Sequence, residues 1–401
     1  MKFSSLTTLG ALALSTTAAY SGGWETGRLS TGFLYQEGNY LESSFGSLNY
    51  SINGTIQAPA STTHKMAKDQ QRMSVSGKFQ IGSLDVGLTS FGSGAIQMDG
   101  QSAAADTAAC STAISDLTDS TTAAAIAQGT ANPTATAGMG AAIGAMRVSC
   151  SYVPSADVKV DTNALIARYR FNENFSVIGG VRQAKIKSSS VTTMASSYAI
   201  DPTNKAGGVY GLAYERPDIA LRLEVLRSEK IEIGLEGLVA GALPITGSNM
   251  VVPEATTVNF QTGIAKDTLL MASAHKVGWA ASQIEVTVPA RSALNISSEF
   301  SDSTSYSLGL GRKLSEQTSA SLTYSWENGS GSTSGSAFTM SNGSKTLSAG
   351  VSHKISALTI SGGISYTKVG DVEVTSATTG LTSSYTGNSV TAVGVKIGYN
   401  F

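Results

Sequence analysis

Three histidines, His64, His275 and His353, are all that 401 residues offer for imidazole chemistry. A serine–histidine–carboxylate set needs its members to converge in space, and no motif here brings them together. His353 shares the parity of Leu347, Val351 and Ile355, which turns it outward from a strand. The three are read as structural or interfacial. No Cys/His cluster has zinc spacing, and the acidic residues are too scattered for a calcium loop. Neither a metal nor another cofactor is expected, and the chain does not read as an enzyme. Cys110 and Cys150 stand in one long segment; in an oxidising compartment they either close it as a disulfide or stay as two free thiols. The remaining chemistry is charge. Arg168, Arg170, Arg182, Arg222 and Glu224 each occupy the face of a strand opposite its large apolar residues. Such charges must be paired or solvated. They form an ion-pair lattice, or one arginine takes a ligand carboxylate through two hydrogen bonds.

The elements that hold these charges are strands. In "SASLTYSWE", Ala320, Leu322, Tyr324 and Trp326 alternate with Ser319, Ser321, Thr323, Ser325 and Glu327. In "NALIARYRF", Leu165, Ala167, Tyr169 and Phe171 oppose Arg168 and Arg170. Only "TLLMASAHKVGW" alternates poorly. Tight separators at 81–83, 172–174, 216–218, 265–267, 315–317 and 355–357 intervene between long polar ones near 58–70, 93–158, 188–206, 232–254, 287–302, 329–343 and 371–388. Brief turns alternating with long loops are the topology of an outer-membrane barrel. The separators divide the chain into about fourteen strands, which places both ends on the periplasmic side. The expected fold is therefore an all-β, antiparallel transmembrane barrel over residues 38–401.

Composition agrees. Charged residues are 14% of the chain, glycines number 43 against 8 prolines, and the net charge is −1. With no basic run, a nucleic-acid partner has no electrostatic footprint. No apolar run after residue 20 reaches the length of a membrane helix, so a membrane-embedded reading requires a closed barrel. Residues 1–21, within "MKFSSLTTLGALALSTTAAYSGG", read as a secretory signal peptide. The chain ends "TAVGVKIGYNF", with Val393, Val395, Ile397, Tyr399 and Phe401 on one face and Gly394, Lys396 and Gly398 on the other. Lipid outside and a polar lumen inside would give that pattern. Segment 93–158, with Ile126, Met139, Ile143 and Met146, and "LVAGALPITGSNMVV" at 238–252 are unusually apolar for external loops. They either pack over the barrel mouth or form an external landing site for a hydrophobic ligand.

Several stretches resemble the FadL/TodX family of outer-membrane transport proteins, in order along the whole mature chain. They include "LSTGFLYQEGNYLESSFGSLNYSINGT", "DTNALIARYRFNENFSVIGGVR", "YERPDIALRL", "VNFQTGIAKDTLL" and "VKIGYNF". The resemblance implies a fourteen-stranded barrel in the bacterial outer membrane. It also implies passive uptake of long-chain fatty acids or other hydrophobic compounds, past an N-terminal hatch and out through a gap in the wall. Gly22 to Glu37 are available as that plug, with Trp24, Leu29, Phe33 and Leu34 as its apolar ligand contacts. Met139, Ile143 and Met146 would be the outer contacts. The family's Asn-Pro-Ala hatch motif does not stand before the first strand here. By resemblance to other outer-membrane barrels, Tyr399 and Phe401 are the ending read by the barrel assembly machinery. Outer-membrane lipid and lipopolysaccharide are the remaining expected partners. The alternative is a general water-filled porin with mild anion preference set by the lumenal arginines; a barrel enzyme or an adhesin is a more distant reading.

Overall fold

Side-chain alternation becomes strand pairing all the way round the molecule. A computed structural model describes residues 23–57, 60–63, 65–100, 154–193, 196–289, 295–329, 333–334, 338–375 and 382–401. The proposed signal segment, His64, Met139, Ile143, Met146, Cys110 and Cys150 lie outside the described residues. The wall consists of β1 (Tyr40–Ser51), β2 (Gln70–Ile81), β3 (Leu84–Asp99), β4 (Ser155–Arg170), β5 (Phe175–Ile186), β6 (Thr203–Arg216) and β7 (Leu221–Ser228). It continues with β8 (Ala255–Ala265), β9 (Thr268–Val277), β10 (Ser303–Lys313), β11 (Thr318–Glu327), β12 (Ser344–Ile355), β13 (Leu358–Val369) and β14 (Ser389–Asn400). Each pairs antiparallel with its neighbours, and β14 pairs with β1 from Tyr40↔Asn400 to Ser51↔Ser389. The barrel closes. Closure leaves no free sheet edge in hydrocarbon, where an unsatisfied backbone group costs several kcal/mol.

The tight turns fall at the expected separators. Gly82, Ala220, Asp267 and Ser356 take φ of 58°, 52°, 58° and 57° there, the left-handed geometry a reversal of this kind uses. The outward face is greasy: Leu41, Met73, Leu88, Leu165, Leu212, Leu322 and Val393 are each about half exposed or more. Aromatic pairs ring both ends of this band. Tyr306 and Tyr324 stack on Trp326 on the loop side, at 5.4 and 5.7 Å. Phe401 meets Phe79 and Tyr399 on the turn side, each at 6.1 Å. Such girdles sit at lipid headgroup level. This is a multi-pass barrel of the bacterial outer-membrane type.

On the loop side, the chain builds a lid over its own mouth. A four-stranded sheet joins Ile231–Leu235, Ser248–Val252, Ile284–Val286 and Ile296–Ser297. A five-stranded one joins Gly54–Gln57, Ala60–Thr63, Thr333–Ser334, Val372–Thr375 and Thr382–Tyr385. Val239, Ile245, Met250 and Val252, from the apolar 238–252 stretch, are buried in one cluster with Ile96, Val158 and Ile186 of the wall. That loop is a packing element over the mouth. β9 alternates poorly because small residues, Ala272, Ser273 and Ala274, fill its middle. Its inward side is nevertheless defined by Leu269, His275 and Val277, all buried.

Neighbouring strands β2 and β3 stop pairing well before either strand ends. β2 and β3 pair from Ile81↔Leu84 only to Ser74↔Phe91. Beyond Phe91, β3 runs on to Asp99 with β4 alone, through a register shift between Gly92 and Gly94. On the loop side of the barrel, β2 and β3 have therefore parted.

Candidate functional site

The N-terminal segment enters the lumen and closes that parting. Glu25 forms an isolated antiparallel bridge with Gly94. The Thr26 amide donates to the Ser93 carbonyl at 3.0 Å, and the Ala95 amide to the Trp24 carbonyl at 2.9 Å. Higher up, residues 66–68 take over, with Lys68 N donating to Gln97 O at 3.2 Å and Asp99 N to Met66 O at 2.8 Å. Arg72, inward on β2, reaches the Thr26 carbonyl from the other bank. The free edge of β3 is thus satisfied by two segments that belong to neither neighbouring strand.

Trp24 sits at this junction, 2% exposed. Its ring meets Trp279 edge-on at 5.3 Å, and Trp279 meets Phe300 at 5.7 Å. A Cβ added at Gly94 would lie 2.0 Å from the Trp24 ring; only glycine lets the indole lie against the strand here. The indole Nε1 has no hydrogen-bond partner. Above it lies a cavity with wholly apolar lining, including Ile96, Val158, Ile186, Tyr198, Met250 and Phe338. The space open to the centre of a water-sized sphere is about 20 Å³, room for one or two waters. A larger apolar guest must displace side chains.

Below Trp24 the lumen turns polar. His275 Nε2 lies 3.0 Å from Glu25, and its Nδ1 lies 2.8 Å from the Thr257 hydroxyl. Arg28 adds 3.5 Å to the same carboxylate and donates to Ser305 at 2.7 Å. Arg182 donates to the carbonyls of Glu229 and Pro253, at 2.6 and 3.0 Å. Glu25 belongs to the N-terminal segment, outside the spanning strands. Burial pushes its carboxyl up, but His275, Arg28 and Arg182 together outweigh burial and hold it below the usual carboxylate range.

The segment ends in a 3₁₀ turn, Gly32–Tyr35, that stoppers the lower lumen. Phe33 and Leu34 are fully buried with Ala164, Ile166, Ile178 and Leu226; Leu29 packs against them from a half-buried position. Glu224 is the hub beneath. It accepts from Thr31 Oγ1 at 2.7 and 2.8 Å, from Tyr35 at 2.6 Å and from Asn259 at 2.9 Å. The Arg168 and Arg222 guanidiniums lie over the Tyr35 ring, 4.0 and 4.1 Å from its centre. Lys78, wholly buried, pairs with Asp85 at 2.9 Å and donates to the Leu34 carbonyl at 3.3 Å. Arg170 reaches the other oxygen of Asp85 at 3.3 Å.

All five charged residues singled out in the sequence face the lumen. Arg168, Arg170, Arg222 and Glu224 meet in one lower network, while Arg182 stands higher, near Glu25. Trp24 is separated from Phe33 and Leu34; it belongs to the buried cluster that contains the cavity-lining Ile96 and Val158, whereas they belong to another. Sequence reasoning missed Glu25, Tyr35, Lys78, Asp85, Trp279 and Glu215, the ion-pair partner of Arg168 on β6. Lys78 and Asp85 carry a legible signal, since both take the polar parity of strands joined by the Gly82 turn. The others depend on what the N-terminal segment meets.

Comparison with known proteins is structural only. No protein-family model matches the chain, and no curated protein sequence does. The toluene transporter TodX of Pseudomonas putida superimposes with a TM-score of 0.57 at 12% identity, over 95% of each chain. The Ralstonia pickettii toluene transporter TbuX gives 0.55 at 11% identity, over 91% of this chain and 90% of its own. The architecture is that of the FadL/TodX barrels.

Proposed function

We propose that the chain is a passive outer-membrane channel for small hydrophobic molecules, which enter through the apolar lid and leave sideways through the barrel wall. The observation that carries this reading is the parting of β2 and β3, sealed by Trp24–Gly27 beside Ala95 and the cavity-lining Ile96. A guest in that cavity has Ile96, on the freed part of β3, as one wall, so the cavity and the parting share a boundary. Each methylene moved out of water contributes about 0.8 kcal/mol, which favours apolar guests over hydrated ones at the lid. Withdrawal of the N-terminal segment from β3 would then open a route between strands whose mutual ladder has already ended. The solved barrels of the same architecture are toluene transporters by name, which makes monoaromatic hydrocarbons the first class to test. Long-chain fatty acids are the second. The plugged lumen and internally paired charges weigh against a general porin.

The test is uptake by cells in which this barrel is the only such route. We expect toluene or hexadecanoate to enter faster than in cells with an empty vector, with small sugars excluded. Free passage of sugars with no gain for either apolar compound would establish the porin reading instead.

A further inference from the structure

Tyr35 is a phenol held by the barrel as a ligand would be. Its hydroxyl donates to Glu224 at 2.6 Å, and two guanidiniums lie over its ring. Each of the groups that grip it has its own partner in the wall, in addition to the hydrogen bonds Thr31 of the plug donates to Glu224. Arg168 is held by the Ser176 hydroxyl at 3.0 Å and by Glu215; Arg222 by Gln261 at 3.0 Å; Glu224 by Asn259 at 2.9 Å. Strands β4 to β8 therefore preorganise an aromatic clamp with a buried carboxylate at its end, whatever fills it. We propose that this lower lumen is a second binding site, selective for hydroxylated monoaromatic compounds, and that Tyr35 occupies it as an internal stand-in while the plug is seated.

The chemistry selects that class. The negative face of an aromatic ring attracts guanidinium; an aliphatic ring does not. Glu224 is 1% exposed, and a guest without a hydroxyl would leave it short of the donor Tyr35 now supplies. A charge-assisted hydrogen bond of this kind is among the stronger ones. Toluene lacks the hydroxyl, cyclohexanol lacks the ring face, and a phenol has both. When the plug shifts, a phenol arriving from above would replace Tyr35 and hold the lumen open. In giving the site a use, this inference rests on the channel reading, but its test measures binding and not transport.

The experiment is calorimetric titration of the refolded full chain carrying Tyr35→Ala, with p-cresol (the free form of the missing side chain), toluene and cyclohexanol. We expect the variant to take one more equivalent of p-cresol than the unmodified protein, about tenfold or more tighter than either control. Adding Glu224→Gln, which keeps an acceptor but removes its charge, should narrow the preference for p-cresol over toluene. Equal uptake of p-cresol by variant and unmodified protein, or equal affinity of the variant for p-cresol and toluene, overturns the proposal. If Tyr35→Ala does not regain heat-modifiable migration unaided, refolding becomes the readout. Recovery with p-cresol but not toluene supports the site, and no recovery with p-cresol overturns it. Failure of both toluene and hexadecanoate uptake in cells would sink the channel reading while leaving this binding result standing.

Discussion

Lys78 is the most demanding residue in the lumen. Its ammonium and the Asp85 carboxylate are both fully out of solvent, and two such charges tolerate burial only as a pair with satisfied hydrogen bonds. Arg170 gives Asp85 a second, partly exposed partner. Lys78→Met removes the closer partner and the donor to the Leu34 carbonyl while keeping most of the side-chain volume. It should cost about 3 kcal/mol, the lower end for a broken buried pair because Arg170 stays. Lys78→Met/Asp85→Leu should recover part of that loss, since the one charge left without its carboxylate, Arg170, is partly exposed and still donates to the Gly82 carbonyl. Urea unfolding in lipid vesicles, followed by tryptophan fluorescence, measures both. A double variant less stable than Lys78→Met alone would show that the pair is not the cause.

The plug's seat depends on one small residue of β3. A Cβ at Gly87 would lie 2.4 Å from the Phe33 ring and 2.6 Å from the Leu34 side chain. Both side chains are buried against β4, β5 and β7, so neither can swing away without leaving the cluster. Gly87→Val adds branched bulk at that point; overpacking of this sort costs about 1–3 kcal/mol. Strand pairing loses little, because valine suits a strand. The strain should fall on the 3₁₀ turn, because the strands around it are held by their backbone ladders. The expected outcome is a folded barrel with an unseated plug, seen as larger single-channel conductance in planar bilayers and faster protease nicking at Ser30. Unchanged conductance with a protected Ser30 would show that the seat yields to the extra methyls.

At the scale of the whole barrel, the last residue completes the ring. Phe401 donates its amide to the Asn39 carbonyl at 3.0 Å and lays its ring against Phe79 and Tyr399. It therefore lies beside the seam where β14 meets β1, at the turn-side girdle. Deletion of Phe401 removes these contacts at the closing seam and the final aromatic of the ending. Less heat-modifiable barrel should reach the outer membrane, measured by gel shift and surface labelling. The residual barrel should be nearly as stable as the parent, since the β1–β14 ladder survives the deletion. Wild-type amounts of surface-exposed barrel would reduce Phe401 to one lipid contact among many.

The sequence by itself determined the closed wall. Period-two alternation says which side of a strand meets lipid, and the six tight separators fix where the chain reverses. Both are local signals, so Arg168, Arg170, Arg182, Arg222 and Glu224 were readable as inward-facing, and Val393 to Phe401 as outward-facing. The apolar composition of "LVAGALPITGSNMVV" left it as either a packing element over the mouth or an external landing site, and did not say against which strands it would pack. What tertiary structure alone decided is where partners come from. Glu25 meets His275 across 250 positions of sequence and Thr31 meets Glu224 across 193; no spacing rule links such pairs. The parting of β2 from β3 was equally invisible, because the sequence assigns residues from 93 onward to an external loop, whereas β3 runs on to Asp99. Facing follows from the geometry of one strand, whereas contact across a lumen depends on how all fourteen strands are curled into a ring.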